Sequence, residues 1–385
     1  MINKIGFVLG REAVLSVAEI SAVLVRKKIP FRFYYYKSPI LIIESDQEID
    51  LVIDELGGTV KIFDISAETQ DILGAIKQLE PKQTERRINF GLSFYGVKPA
   101  KYLGQELKKY YKNQGLAARH VVGRSPDLSS VIVNENRLIE RGFEALVIKK
   151  EKSFVIGRTR EVQDYKAYSR RDFGRPYRDD ASGMLPPKLA KIMVNLAAKD
   201  NSAVLYDPFC GSGTVIQEAL LLGYKNLFAS DISDRAIADT RANIAWLEQI
   251  GFSKSNNLEI FRNDATKTDK PLKGIDAIVS EGYLGQPINR NRERAAQDSE
   301  ELTDFYFKVL KNLHKFLPPD GILVLAIPFF IVENKKYFLR LSEHLSELGF
   351  NFTYPPLPDC LHCKTLTYSR PDQHVGREIL VLSKK

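Results

Sequence analysis

The chain is short of the residues that staple small folds and bind metals. Three cysteines in 385 residues cannot build a disulfide framework, so a reducing compartment, the cytoplasm, is the expected setting. Cys360 and Cys363 form a Cys-x-x-Cys around His362, but no second pair supplies the remaining ligands of a zinc site. Cys210 sits in a glycine-rich turn and reads as a small packing residue. The five histidines, His120, His314, His344, His362 and His374, form no cluster along the sequence. No metal is expected. No apolar run approaches the roughly eighteen residues that a membrane span needs, and the apolar stretch at residues 5–10 is too short for a signal-peptide core. What is present is ordinary for a globular protein: 44% hydrophobic and 27% charged residues, enough for two or three domains. The net charge of +8 is unevenly placed. The first 80 residues are net acidic, residues 181–385 are close to neutral, and the excess positive charge lies in residues 81–180. That distribution points to a separate polyanion-binding module beside a neutral catalytic half.

The most informative stretch is residues 202–231. Residues 203–206 are an apolar run suited to one buried parallel strand, which Asp207-Pro208 ends. Gly211 and Gly213 allow a tight turn, residues 214–222 have helical apolar spacing, and residues 227–230 form a second strand ending on Asp231. Strand, glycine turn, helix, strand and acid make a nucleotide pocket at the carboxyl end of a parallel sheet, with the acid placed for ribose hydroxyls. A dinucleotide fingerprint wants a third glycine where this chain has Ile216, and it does not place Asp-Pro at the strand end. The string Asp207-Pro208-Phe209-Cys210-Gly211-Ser212-Gly213-Thr214 instead resembles the S-adenosylmethionine motif of the amino-group methyltransferases.

Elsewhere, residues 4–9, 31–36, 40–43 and 60–65 read as strands, and 15–25, 49–56 and 72–79 as helices: a small α/β sandwich with an antiparallel or mixed sheet. Residues 81–87 read as a linker. Strands are expected at 88–95, 121–122, 128–133, 145–148 and 154–156, with a basic helix at 101–111 carrying Lys101, Lys108, Lys109 and, just beyond, Lys112. Lysines interleaved with tyrosines suit phosphate contacts and stacking. Residues 158–187 read as a charged loop containing Arg170, Arg171, Arg175 and Arg178, before a helix that opens at Pro187. Further strands are expected at 258–261, 275–279, 322–327, 350–354 and 379–382, helices at 237–247, 303–316 and 334–348, and a basic loop at 290–294. The alternation over 200–385 argues a doubly wound sheet. Asp264, just after the strand at 258–261, is placed either to accept from an adenine amino group or to cap a helix.

Three pieces resemble one family: Gly-Met-Leu-Pro-Pro-Lys at 183–188, the Asp-Pro-Phe-Cys-Gly-Ser-Gly-Thr string at 207–214, and Tyr-Ser-Arg-Pro-Asp-Gln-His-Val-Gly-Arg-Glu-Ile at 368–379. They are similar to the archaeal and eukaryotic tRNA guanosine-10 N2-methyltransferases with a THUMP domain, and residues 90–96 resemble the THUMP region. The resemblance implies a ferredoxin-like domain at 1–80, a THUMP-like RNA-binding domain at 81–160, a linker at 161–182 and a Rossmann-like methyltransferase domain at 183–385. It implies S-adenosylmethionine as cofactor and tRNA as partner, and leaves a small activator subunit open. By position, Asp207, Pro208, Phe209, Cys210, Gly211, Gly213 and Thr214 would line the methionine part. Asp231 and Ile232 would hold the ribose, Asp264 and Ala265 the adenine, and Lys188 would cover the site. One departure matters. Where the family carries Asp-Pro-Pro-Tyr at the fourth strand end, this chain has Glu281-Gly282-Tyr283-Leu284. An acid is kept but lengthened by a methylene, and both prolines are gone.

A sulfonium donor is already electrophilic, so the protein must align an amine with the methyl group and keep its nitrogen electron-rich. The exocyclic amine of guanine is a poor nucleophile, and a carboxylate and a backbone carbonyl accepting its protons would counter that. A stacked aromatic would hold a flipped base. Glu281, the backbone at Gly282 and Tyr283 are the candidates. The expectation is an S-adenosylmethionine-dependent methyltransferase acting on the N2 of a guanosine in tRNA. The alternatives are a DNA or ribosomal-RNA amine methyltransferase, and a tRNA-binding protein without transfer activity.

Overall fold

The computed structural model describes every residue except 1, 80–86, 179–183, 252–256, 269, 286–291, 362–364 and 372, and only the backbone of 292 and 293. The expected linker at 81–87 thus lies outside the described residues, apart from Arg87. The chain divides into two compact units: Met1–Ala13, Ile29–Glu55 and Thr59–Ala167 in one, and Val14–Lys28, Leu56–Gly58 and Tyr168–Lys385 in the other.

In chain order, the first elements are β1 (Asn3–Leu9), α1 (Ala13–Arg26), β2 (Arg32–Lys37), β3 (Ile40–Ser45), β4 (Thr59–Thr69), α2 (Ile72–Lys77), β5 (Arg87–Tyr95), α3 (Lys101–Asn113), β6 (Ala117–Val121), α4 (Ser130–Glu135), β7 (Gly142–Lys150) and β8 (Ser153–Val162). The eight strands form one mixed sheet in the order β2-β3-β1-β4-β8-β7-β5-β6, with β5 parallel to both β6 and β7. The domain boundary expected at residue 80 falls inside this sheet, because β4 pairs antiparallel with β8 from Lys61↔Val162 to Thr69↔Phe154. A buried polar knot ties the two halves. Lys61 Nζ on β4 donates to Glu144 Oε1 on β7 at 2.5 Å and to the Leu128 carbonyl at 2.6 Å. Ser93 on β5 and Thr159 on β8 also donate to Glu144, each at 2.5 Å. A buried ion pair persists only when its remaining lone pairs are satisfied in this way.

Two expected elements in this unit change type. The helix at 49–56 is only a single short turn at Ile53–Glu55. There the Ile53 N–H donates to Glu161 at 2.7 Å and the Leu51 carbonyl accepts from Arg160 at 2.6 Å, so residues of β8 take the backbone groups a helix would use. The strand expected at 128–133 is instead α4. The Ser129 hydroxyl accepts from the Ile132 N–H at 3.3 Å, and this cap outweighs the β-branched run Val131-Ile132-Val133.

The remaining elements are α5 (Tyr165–Phe173), α6 (Pro187–Leu196), β9 (Val204–Asp207), α7 (Thr214–Leu221), β10 (Asn226–Asp231), α8 (Asp234–Gln249), β11 (Asn257–Arg262), β12 (Ala277–Glu281), α9 (Arg292–Leu313), β13 (Ile322–Val332), β14 (Lys335–Phe338), β15 (Phe350–Phe352), β16 (Leu366–Tyr368) and β17 (Val375–Lys384). The sheet runs β11-β10-β9-β12-β13-β17-β15, with β14 on β13 and β16 on β17. Its first five strands are parallel, and β17 lies antiparallel to β13. This is the doubly wound, Rossmann-like arrangement expected. The charged loop expected at 158–187 contains α5, and the helix expected at 334–348 is reduced to one short turn at Arg340–Glu343. Glu333 and Asn334 take left-handed backbone angles (φ 48° and 62°) and turn the chain back as β14 against β13. Leu341, Leu345 and Leu348 of this stretch are buried in the core all the same.

The sheet's two faces bury separate cores. One is built with α9, through Tyr306, Leu310 and Leu313. The other includes α6, α7 and, from far upstream, α1 through Leu15, Ala18 and Ala22. Buried Glu19 of α1 accepts from the Gly57 and Gly58 N–H groups and from Asn195 Nδ2 on α6, all at 2.8 Å. Residues 14–28 and 56–58 therefore belong to the methyltransferase-like unit despite their place in the sequence.

Removing the Lys61 ammonium alone leaves Glu144 buried and uncompensated. Lys61→Met is expected to cost about 3–5 kcal/mol in denaturant unfolding, while Lys61→Met with Glu144→Leu recovers most of that. Equal unfolding midpoints for wild type and the single variant would contradict the account.

Candidate active site

Parallel strands end together, and here each of four strand ends brings an acid to the same sheet edge. Asp207 closes β9, Asp231 closes β10, Glu281 closes β12, and Asp264 follows β11 by two residues. They line one cleft of about 610 Å³. Of the residues expected at the site, Pro208, Phe209, Cys210, Gly211, Thr214, Ile232, Ala265, Gly282 and Tyr283 line it as well.

The turn after β9 is built by its glycines. Gly211 (φ 51°) and Gly213 (φ 83°) are both left-handed, a region that disfavours side chains. A Cβ at Gly213 would stand 3.0 Å from Thr240 Cγ2, whereas one at Gly211 would meet nothing within 4 Å. Gly213 thus shapes the turn from behind, and Gly211 presents open backbone. The Cys210 N–H donates to the Ser230 carbonyl at 2.9 Å, and the Gly211 N–H to Asp231 Oδ2 at 3.0 Å, which pins the turn to β10. Thr214 then opens α7, whose N-terminal dipole favours negative charge nearby. Cys210 is buried, and burial pushes its thiol well above the ordinary range. It packs; it is not an activated nucleophile.

The acids differ in environment. Asp207 is 1% exposed and accepts from the Ser280 hydroxyl at 2.5 Å and the Phe209 N–H at 3.2 Å. Burial outweighs those bonds, the charges of Asp231 and Glu281 add to it, and its carboxyl is pushed up to about 7. Asp231 Oδ1 accepts from the Ser233 N–H at 2.9 Å. Asp264 Oδ1 accepts from the Thr266 N–H and hydroxyl at 2.9 and 2.7 Å, which hold its carboxyl below the usual range. No helix starts there, so the helix cap weighed for Asp264 is not its role; its carboxylate holds a turn at Thr266, and the residue also lines the cleft. Glu281 pairs with Arg377 of β17. Burial raises the Glu281 carboxyl, and Arg377 partly opposes the shift.

The glycine at the first position after Glu281 has a local cause. A Cβ at Gly282 would fall 2.3 Å from the Tyr306 hydroxyl oxygen. That hydroxyl donates to the Tyr283 carbonyl at 2.8 Å and fills the space a side chain would need. Tyr283 is 47% exposed and meets Phe305 edge-on at 6.4 Å between ring centroids.

Several expected residues lie elsewhere. Lys188 does not line the cleft; its ammonium stands 5.1 Å from the Tyr168 ring centre. Arg171 and Arg175, expected on a nucleic-acid surface, are buried. Arg171 Nε donates to Glu218 at 2.7 Å, and Arg175 donates to the Thr214 hydroxyl at 2.7 Å. A buried guanidinium needs such partners, so both serve the interior behind the glycine turn. Arg170 is exposed, and the half-buried Arg178 lies 5.1 Å over the Phe173 ring. On α3, Lys101, Lys108, Lys109 and Lys112 are all exposed. Gly183, Arg290 and the His362-Cys363 part of the Cys-x-x-Cys lie outside the described residues, and among the described residues no cluster fit to hold a metal exists. Ser280, Phe305, Tyr306 and Arg377 were not foreseen. Only Arg377 had a signal, its place in the closing 368–379 string.

The raised carboxyl of Asp207 makes a stability prediction with a definite sign. Between the ordinary carboxylate range and about pH 7, the folded state holds a proton that the unfolded state has lost, so stability falls as pH rises through that window. Asp207→Asn keeps an oxygen for Ser280 and removes the penalty. Its unfolding free energy relative to wild type should rise from pH 4 to pH 7 and then level off, as read by urea titrations; a difference constant with pH would contradict the assignment.

Comparison with known proteins bears on the same region. The family described as RMKL-like, methyltransferase domain, matches residues 175–335. The tRNA (guanine(10)-N2)-dimethyltransferase of Methanothermobacter thermautotrophicus is 32% identical over 149 residues, 39% of this chain and 40% of that protein. Its counterpart in Methanocaldococcus jannaschii is 29% identical over 189 residues, 47% of this chain and 48% of that one. The chain thus spans less than half the length of these two relatives. A relative from Methanothermococcus thermolithotrophicus is 31% identical over 144 residues, 36% of this chain and 78% of that protein. Among solved structures, TrmN from Thermus thermophilus has the same fold over the full length of both chains, with a TM-score of 0.56 at 16% identity. At 31% identity over 78% of the Methanothermococcus thermolithotrophicus relative, the chain belongs to the family of these archaeal proteins, and its residues 175–335 match the RMKL-like methyltransferase domain.

Proposed function

We propose that the protein transfers a methyl group from S-adenosylmethionine to the exocyclic N2 of a guanosine in tRNA, and that it works in the cytoplasm. The observation that carries this reading is the single cleft in which four strand-end acids and an open glycine turn meet, in a chain related to tRNA (guanine(10)-N2)-dimethyltransferases.

The residues fit the donor by their chemistry. Open backbone at Gly211 admits the methionine part, Asp207 faces its cationic groups, Asp231 accepts from the ribose, and Asp264 with Ala265 borders the adenine. Bound there, the donor supplies a methyl group that needs no further activation. Everything else falls to the chain. Tyr283, half exposed at the cleft and braced by Phe305, stacks on the flipped guanine. The Glu281 carboxylate and the Gly282 carbonyl accept the two amino protons and leave the nitrogen electron-rich. As the new bond forms, the nitrogen passes one proton to Glu281, whose raised carboxyl makes it the better acceptor. The exposed lysines of α3, in the part that resembles a THUMP region, grip tRNA phosphates.

One observation favours a second reading. Glu281 is already engaged by Arg377, which suits a tRNA-binding protein that keeps donor affinity without transfer. A labelled methyl donor with total tRNA separates the two, in wild type and in Glu281→Ala. Transfer by wild type, at least about a hundredfold weaker in the variant as for loss of a general base, is expected, with N2-methylated guanosine in the digested nucleosides. Donor binding by calorimetry without any transfer would establish the second reading instead.

A further inference from the structure

The Glu281–Arg377 pair spans three strands on one face of the sheet. Glu281 of β12 is in register with Ala326 of β13. Arg377 of β17 is in register with Pro328, two residues further along β13. Residues paired across strands share a face, and so do residues two apart along a strand. Ala326 and Pro328 are small, so the long guanidinium stem can cross over β13 and reach the acid from the far side. Tyr368 of β16 is paired with Arg377 and shares the face, with its ring centre 5.9 Å from the guanidinium carbon. Arg377 is 4% exposed. It lies in a slot with an aromatic wall at one end and the strand-end acid at the other.

We propose that Arg377 is a positioning residue, one that fixes the rotamer and charge of Glu281 so that its carboxylate ends at the cleft. This rests on the reading of Glu281 given above. An aspartate at 281 would stop a carbon short of the guanidinium, and so the longer acid and the arginine make sense only together. Arg377 is the one opposite charge that faces Glu281 among the described groups. Asp207 on β9 repels it, and Tyr306 on α9 faces it with a phenol that burial pushes well above the ordinary range. Without Arg377, burial would raise the Glu281 carboxyl further with no cation to oppose it. The acid would take up a proton and lose its capacity to accept one from the amine.

The test is Arg377→Gln, with Arg377→Lys as the conservative variant, read in two ways. Carbon-13 NMR of glutamate labelled at the carboxyl, assigned by loss of a signal in Glu281→Gln, follows Glu281 without any substrate. Its titration should move to higher pH in Arg377→Gln and by less in Arg377→Lys. The acid limb of the tRNA methylation profile should move with it. In a Glu281→Gln background, Arg377→Gln should lower kcat no further. A Glu281 titration that does not move, or an additive loss of kcat in the double variant, would overturn the proposal. If wild type transfers no methyl to tRNA, the proposed function fails, while the carboxyl titration still decides whether Arg377 holds Glu281.

Discussion

Four carboxyl groups converge where the parallel strands stop, and like charges in one cleft repel. Neither a sheet that ends its strands in register nor a fold that puts binding residues at those ends can avoid this crowding. Each acid here is relieved by different means. Asp264 is held ionised by Thr266, Asp231 takes backbone N–H groups from the glycine turn and from Ser233, and Glu281 is paired with Arg377. Asp207, the most buried, has only a hydroxyl and one N–H, and its carboxyl rises to about 7. The cleft is thereby left with negative charge that a cationic ligand would neutralise, and the glycine turn beside it gives that ligand room.

Much of this was legible in the sequence because it is local. The run 203–206, the Asp-Pro stop, the paired glycines and the acid eighteen residues after Gly213 each report a backbone requirement of one βαβ unit. The structure places them as that unit demands. Elements set by distant partners were not legible. Residues 49–56 have an apolar pattern compatible with a helix, but Glu161 and Arg160 on β8 take their backbone groups. Residues 128–133 are β-branched, yet a single serine cap turns them into a helix. The basic stretch at 170–178 shows the limit of charge as a guide. Arg171 and Arg175 are as cationic as Arg170, and only the fold reveals that Glu218 and Thr214 draw them inward.

The corner at the end of β12 was half legible. An acid, a glycine and an aromatic at the end of β12 could be read as a departure from a known pattern, but not explained. The explanation needs Tyr306 from α9, whose hydroxyl occupies the volume that a proline ring at position 282 would require. It also needs Arg377 from β17, nearly a hundred residues downstream of the acid it meets. Substitutions at one strand end are thus matched by side chains from two other elements, which short-range spacing cannot register.

The continuous eight-stranded sheet of the first unit carries a consequence for how such a chain can be cut or recombined. Strands before residue 80 and strands after it meet at the β4–β8 seam, near the middle of the sheet. A fragment ending at the seam would bare a long strand edge, and Lys61 would be parted from its carboxylate. Exposed edges of that length invite pairing with other molecules. The stretches before and after residue 80 are therefore not interchangeable beads on a string. They are two halves of one sheet, and removing either leaves the other with a bare edge.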